Sequence, residues 1–156
     1  MRILFSFILC VFIGLTSSLQ AQQADDPSLR MVDDIQFDLR SVELNADTLE
    51  VRLFAISYDK NPREFRLNVF ASGLVDSLGQ IHMLESVQVD RVMVMLADRQ
   101  NYLNYLLHQD QPVQIILKAT SISSASRSNW PQAKLVFSSL QEEGRFIEAL
   151  IDLEEQ

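Results

Sequence analysis

Hydrophobic and polar residues alternate with a period of two along most of the chain beyond residue 34. Ile35, Phe37 and Leu39 alternate with polar neighbours, a pattern typical of a strand with one buried face. Further segments of this kind cover residues 48–58, 65–71, 74–75, 81–84, 86–96, 113–119, 134–137 and 145–153. Because most of them have one polar face, they predict antiparallel sheets with one side in solvent.

The residues between these segments predict tight turns. Asn45-Ala46-Asp47 and the polar cluster at 59–62 separate consecutive strands, as short turns containing Asn or Asp do in hairpins. Residues 86–96 predict one strand with a bulge at Asp90-Arg91, where the alternation changes phase.

Two segments have more than one interpretation. In residues 98–108, Tyr102-Leu103 and Leu106-Leu107 have the spacing of one helix face. This spacing predicts a short helix, and a loop is the alternative. Residues 142–152 also carry a helical stripe, but the β-branched Ile147 and Ile151 fit an alternating face. We therefore interpret this segment as the closing strand.

The number and spacing of the segments predict the fold class. About seven to nine short strands, without long helices between them, predict an all-β, antiparallel immunoglobulin-like β-sandwich. We assign a flexible lead-in to residues 22–33 and a single sandwich domain to residues 34–156. A membrane barrel is disfavoured because Arg52, Arg66 and Arg91 interrupt strands that would need a continuous apolar band.

Residues 1–21 have the features of a secretory signal peptide. Arg2 precedes a 13-residue apolar run, which is followed by a polar tail containing small residues. The run is shorter than the roughly 20 residues that cross a bilayer as a helix. We expect cleavage after Ala21 and export to the periplasm or the cell exterior. The single cysteine, Cys10, lies in the leader, so disulfides and thiolate chemistry are excluded for the mature chain.

The charge of the chain limits its partners. It contains 13 Lys and Arg against 21 Asp and Glu, a net charge of −8. An acidic chain repels phosphate backbones and anionic lipid surfaces. We therefore expect no nucleic acid partner and no membrane insertion after the leader is removed.

Three aromatic residues are the candidate contact residues for a ligand or partner. Trp130 follows a serine-rich segment, and tryptophan is enriched at binding hot spots and stacks on sugar rings. Tyr102 and Tyr105, three residues apart, would form a second aromatic patch. The alternative is that Trp130 caps the core, its N–H bonded to a carbonyl, while the tyrosines pack over the open end of the sandwich.

The sequence contains no recognisable catalytic or metal-binding motif. His82 and His108 have no marked serine partner and no G-x-S-x-G elbow, so we expect no enzyme and no catalytic residues. Two histidines also fall short of a zinc ligand set. The acidic residues at 25–26, 33–34 and 76 are candidate calcium donors, but no EF-hand loop is present. We expect no metal and no cofactor.

The strand order after the leader resembles a known group of proteins. It runs through strands at 35–39, 49–56 and 65–70, the turn Asp76-Ser77-Leu78-Gly79, and a later strand opened by Pro112-Val113. This order resembles small exported immunoglobulin-like β-sandwich proteins of unknown function from Bacteroidetes-type bacteria, over about residues 34–153. The resemblance implies a sandwich fold and export, and it implies no catalytic residues.

Two functions are consistent with these observations. In the first, the chain is a non-catalytic module that binds another envelope or secreted protein through a sheet edge or apolar face. Phe54, Phe70, Met93 and Met95 would serve such a face. In the second, it binds a glycan or a small hydrophobic molecule through the three aromatic residues. An exposed Trp130 would favour the ligand, and a broad apolar patch would favour the protein partner.

Overall fold

The computed structural model describes residues 29–120 and 130–153, and twelve strands occupy these ranges. The predicted leader and residues 22–28 lie outside the described residues. No helix in the described ranges has the length and hydropathy needed to cross a membrane. The strands are β1 (Leu29–Val32), β2 (Ile35–Asn45), β3 (Thr48–Ser57), β4 (Arg63–Asn68), β5 (Gly73–Val75), β6 (Ile81–Met83), β7 (Ser86–Val89), β8 (Val92–Met95), β9 (Tyr102–Leu107), β10 (Val113–Ala119), β11 (Gln132–Ser138) and β12 (Phe146–Asp152).

The strands form two antiparallel sheets that pack face to face. The first sheet has the order β1-β2-β3-β10-β7-β8. The second has the order β6-β5-β11-β4-β9, and β12 pairs with β11 along its whole length. At the sides of the sandwich, β1 contacts β12 and β8 contacts β9. The all-β antiparallel sandwich predicted from the alternation is therefore confirmed.

The core consists of the alternating apolar residues that the two sheets direct inward. Ile115 of β10 is fully buried, as is Leu53, which lies opposite it on β3. Three phenylalanine rings, from Phe37, Phe65 and Phe137, meet at centroid distances of 5.2–6.4 Å. Because these rings come from β2, β4 and β11, they join the two sheets directly.

A buried serine completes the second sheet where its ladder is interrupted. β4 and β5 both pair with β11, but residues 69–72 between them leave the ladder. The Ser72 hydroxyl accepts a hydrogen bond from Val136 N–H (3.0 Å) and donates one to the Asn68 carbonyl (2.8 Å). A side chain thus replaces the main-chain partner that β11 lacks here, which keeps a buried N–H satisfied.

The predicted helix at residues 98–108 is wrong, because most of this segment is strand β9. Leu103 and Leu107 are buried, and Leu103 lies opposite Leu67 of β4. The spacing that fits a helix face also fits a strand with Leu103 and Leu107 inward and Tyr102 and Leu106 outward. A short 3-10 turn at Leu96–Asp98 precedes the strand.

The twelve strands exceed the predicted seven to nine because β9, β8 and β1 were not predicted as separate strands. Residues 86–96 form the hairpin β7–β8 instead of one bulged strand. Val89 lies opposite Val92, and Asp90 takes the positive φ of 51° that this two-residue turn requires. In addition, β1 lies within the predicted lead-in at 22–33 and pairs with β2.

A buried ion pair connects three parts of the fold. Arg63 opens β4, and its side chain is almost fully buried against Asp33, in the β1–β2 turn. The Arg63 Nη2 atom lies 2.8 Å from the Asp33 carboxylate, and Arg63 Nη1 also donates to the Asp33 carbonyl. The same carboxylate accepts a hydrogen bond from Leu140 N–H in the β11–β12 loop (2.8 Å).

Candidate functional site

Trp130 lies inside the sandwich and not on its surface. It precedes β11, is 7% exposed and belongs to the hydrophobic core. Its ring meets the His82 ring edge-on at a centroid distance of 4.6 Å. No hydrogen bond to its indole N–H is found within the described residues. The position agrees with a residue that caps the core, although the expected carbonyl partner is not found among these residues.

Tyr102 and Tyr105 lie on opposite faces of β9 and form no shared patch. Tyr102 faces outward, where it stacks with Phe146 (5.7 Å between centroids) beneath the guanidinium of Arg66. Tyr105 packs against the core, and its hydroxyl donates to the Asp90 carboxylate (3.0 Å). Burial, together with this hydrogen bond, raises the pKa of Tyr105. Residues three apart meet on a helix but separate on a strand.

The structure places His82 beside an acidic residue, which the sequence did not indicate. The His82 Nε2 atom lies 2.8 Å from the Asp76 carboxylate. That carboxylate also accepts the main-chain N–H groups of Leu78 and Gln80 (both 2.9 Å), which closes the β5–β6 turn. The hydrogen bond from His82, followed by the one from Gln80, lowers the pKa of Asp76. Within the described ranges, no hydrogen bond joins His82 or His108 to a hydroxyl group.

The acidic residues considered as calcium donors have other partners. Asp33 pairs with Arg63, and Asp76 closes a turn and contacts His82. In residues 29–120 and 130–153, no group of three or more histidine, cysteine or acidic side chains is placed to hold a metal ion. The acidic pair at 25–26 lies outside the described residues.

A polar groove of about 630 Å³ lies between the β1–β2 turn and the β11–β12 loop. Asp33, Glu142 and Arg145 contribute to its walls. Their charges are already paired, Asp33 with Arg63 and Glu142 with Arg145. These pairs connect the strands and loops around the groove, and they leave no concentrated charge for an ionic ligand.

Exposed apolar side chains collect on two short edge strands, one from each sheet. We define the methionine surface as Ile81 and Met83 of β6 together with Val92, Met93 and Met95 of β8. Their exposed fractions range from 38% for Met95 to 57% for Met93. Phe54 and Phe70, the other expected face residues, lie elsewhere, and Arg40 covers the Phe54 ring at 5.0 Å. Met93 and Met95 therefore belong to this surface, and the two phenylalanines do not.

The hairpin β7–β8 sets the direction of these methionines. Leu96 N–H donates to the Glu85 carbonyl (2.8 Å), which fixes the phase of the ladder. In that phase the side chain of Val94 is buried and its main-chain N–H and C=O point toward β7. The main-chain N–H and C=O of Met93 point away from β7. The Asp98 carboxylate accepts the Met95 N–H (3.3 Å). At this edge the main-chain N–H of Met95 thus has a side-chain partner, and the main-chain groups of Met93 are not paired with β7.

A second groove, of about 440 Å³, opens within the methionine surface. Met83 of β6 and Met95 of β8 both line it, together with Leu84, Glu85 and Leu96. The groove exists because the chain passes from the second sheet to the first at Leu84, whose side chain is buried. It is more apolar than the groove beside Asp33, so it suits apolar groups better than ionic ones.

Comparison with known proteins identifies no family. No known family matches the chain, and no curated protein matches it. Among solved structures, the chain is similar to the YjhA protein from Bacillus subtilis, with a TM-score of 0.45 and 13% identity. The match covers 81% of this chain and 96% of that one. A similarity this distant supports no argument about function.

Proposed function

We propose that this chain is an exported, non-catalytic β-sandwich module that binds another envelope or secreted protein. The methionine surface is the contact region. The observation that supports this most is the exposure of five apolar side chains on the edge strands β6 and β8, two of which line one groove. Export rests on the leader-like order of residues 1–21.

The chemistry of the methionine surface suits a protein partner. Contiguous exposed apolar patches mark interaction sites more often than isolated exposed residues do. Methionine is unbranched and polarisable, so it adapts to the shape of an opposing surface. The groove between Met83 and Met95 would accept apolar side chains of the partner. The main-chain groups of Met93 that point away from β7 would add hydrogen bonds to an extended segment.

The alternative, a glycan or small hydrophobic ligand bound by Trp130, Tyr102 and Tyr105, has less support. Trp130 is buried in the core, and the two tyrosines face opposite sides of β9. A flat ligand needs aromatic faces that converge on one site, and these three residues do not offer one.

Affinity capture with paired variants tests the proposal. The full chain and two variants would be used to capture proteins from the envelope extract of the source cells. Met93→Gln with Met95→Gln makes the contact region polar, while Met31→Gln makes the same change on β1, at the opposite edge of the first sheet. Met31 is 54% exposed, which makes it a matched control.

We expect the original chain and the Met31 variant to capture the same protein. The double variant should fail to capture it. Thermal unfolding of all three proteins would confirm that the exposed substitutions leave the fold intact. Retention of the same protein by the double variant would contradict the assigned surface. A glycan or lipid in place of any protein would support the ligand-binding alternative.

A further inference from the structure

The distribution of methionine in this fold is unusual. All four methionines in the described ranges are exposed, Met31, Met83, Met93 and Met95, at 38–57%. The buried core there consists of leucine, isoleucine, valine, alanine and aromatic residues. Methionine normally fills gaps in cores. In the described ranges methionine is absent from the core, and three methionines lie on the edge strands β6 and β8. This placement suggests that the thioether sulfur has a role of its own.

The fold brings two of the edge methionines to one groove and places the third beside them on the same strand face. Met83 and Met95 come from different sheets and line the same groove of about 440 Å³. Met93 lies two residues before Met95 on the same face of β8, about 7 Å away along the strand. Each side chain has three rotatable bonds before its methyl group, so the sulfurs can change position without movement of the main chain.

Thioether sulfurs are soft, uncharged ligands, and such ligands select Cu(I) over Mg²⁺, Ca²⁺ or Mn²⁺. Glu85 lines the same groove, where its carboxylate would supply a negative charge near a bound cation.

We infer that Met83, Met93 and Met95 form a binding site for a soft monovalent metal ion, Cu(I), at the edge where the two sheets meet. The site requires sulfur, whereas protein docking at the same surface requires only apolar area. The inference therefore does not rest on the proposed function, and variants that separate the two requirements can be made.

Silver(I) is the practical probe, because it has the same charge and softness as Cu(I) and is not oxidised in air. The chain without the predicted leader, residues 22–156, which contains four methionines and no cysteine, would be labelled at its methionine methyl groups and titrated with silver nitrate in a chloride-free buffer. Nuclear magnetic resonance would then follow each methyl signal. We expect the signals of Met83, Met93 and Met95 to shift together at one equivalent, while Met31 remains unshifted as the internal control.

Leucine substitutions separate a metal site from an apolar surface. Met83→Leu with Met95→Leu keeps the apolar volume but removes two sulfurs, and it should weaken silver binding by about tenfold or more, equivalent to about 1.4 kcal/mol. Met31→Leu should leave the affinity unchanged. Equal shifts at all four methionines, or full affinity in the double leucine variant, would overturn the site. The silver titration uses no partner protein, so the failure of one proposal does not imply failure of the other.

Discussion

The substitution Asp33→Asn tests whether the buried ion pair holds the β1–β2 turn, β4 and the β11–β12 loop together. The change removes the negative charge but keeps a side chain that tolerates the positive φ of 52° at this position. Arg63, whose side chain is 1% exposed, would lose its principal anionic partner. Breaking a buried pair costs about 3–5 kcal/mol, because an uncompensated charge remains buried.

The structure places the expected cost near the lower end of that range. The Asp59 carboxylate lies 3.6 Å from Arg63 Nη1 and would still compensate part of the charge. We therefore expect a loss of about 3 kcal/mol, a large share of the roughly 5–15 kcal/mol typical of a domain. Urea unfolding would be followed by the fluorescence of Trp130, the single tryptophan of the chain and a buried one.

The neighbouring residue provides the matched control. Asp34 has a similar φ of 59° but is exposed, so Asp34→Asn should change the free energy of unfolding by less than about 0.5 kcal/mol. Adding Arg63→Met to Asp33→Asn should restore stability, because no buried charge then remains unpaired. A loss below about 1 kcal/mol for Asp33→Asn, or a loss equal to that of Asp34→Asn, would show that the ion pair does not hold these three segments together.

Three further predictions concern the core, a close backbone approach and pH. Ile115→Ala should cost about 2–5 kcal/mol in urea unfolding, because Ile115 is fully buried on the central strand β10; a loss below about 1 kcal/mol would contradict this. Gly73→Ala should cost about 1–3 kcal/mol, since a Cβ there would lie 2.5 Å from the His82 carbonyl oxygen, and unchanged stability would show that β6 moves freely. Finally, burial alone would raise the pKa of Asp33, but its hydrogen bonds from Leu140 and Arg63 and the charge of Arg63 outweigh burial and lower it from 3.8. The resulting stabilisation is complete above the unfolded pKa and is lost as pH falls through the lower folded pKa, so acid titration should show this loss in the original chain and not in Asp33→Asn.

The alternation of residues was sufficient to predict the fold class, because burial of one sheet face leaves a period of two in the sequence. Residues 113–119 illustrate this, since their pattern matched strand β10 at both ends. In residues 98–108 the spacing of apolar residues does not decide between a helix and a strand. The spacing of Tyr102-Leu103 and Leu106-Leu107 fits one face of a helix, and it also fits a strand with apolar residues on both sides. Only the pairing of β9 with β4 distinguishes the two structures.

The candidate site was less predictable than the fold. The aromatic residues stand out by type, but their separation follows from the strand phase and from burial of Trp130. Met93 and Met95 were recognised as parts of an apolar face, whereas Met83 was not. Its contribution depends on the chain crossing between sheets at Leu84, which brings Met83 of β6 to the same groove as Met95 of β8. Such long-range neighbours leave no local pattern in one sequence.

The most direct test of the proposed function is crosslinking in the exporting cells. A photo-crosslinking amino acid would be placed at Met93, and at Met31 as the control on the opposite edge of the first sheet. We expect one discrete crosslinked protein from position 93 and none from position 31. Equal crosslinking from both positions, or a discrete product from position 31 alone, would contradict a partner-binding surface on β6 and β8.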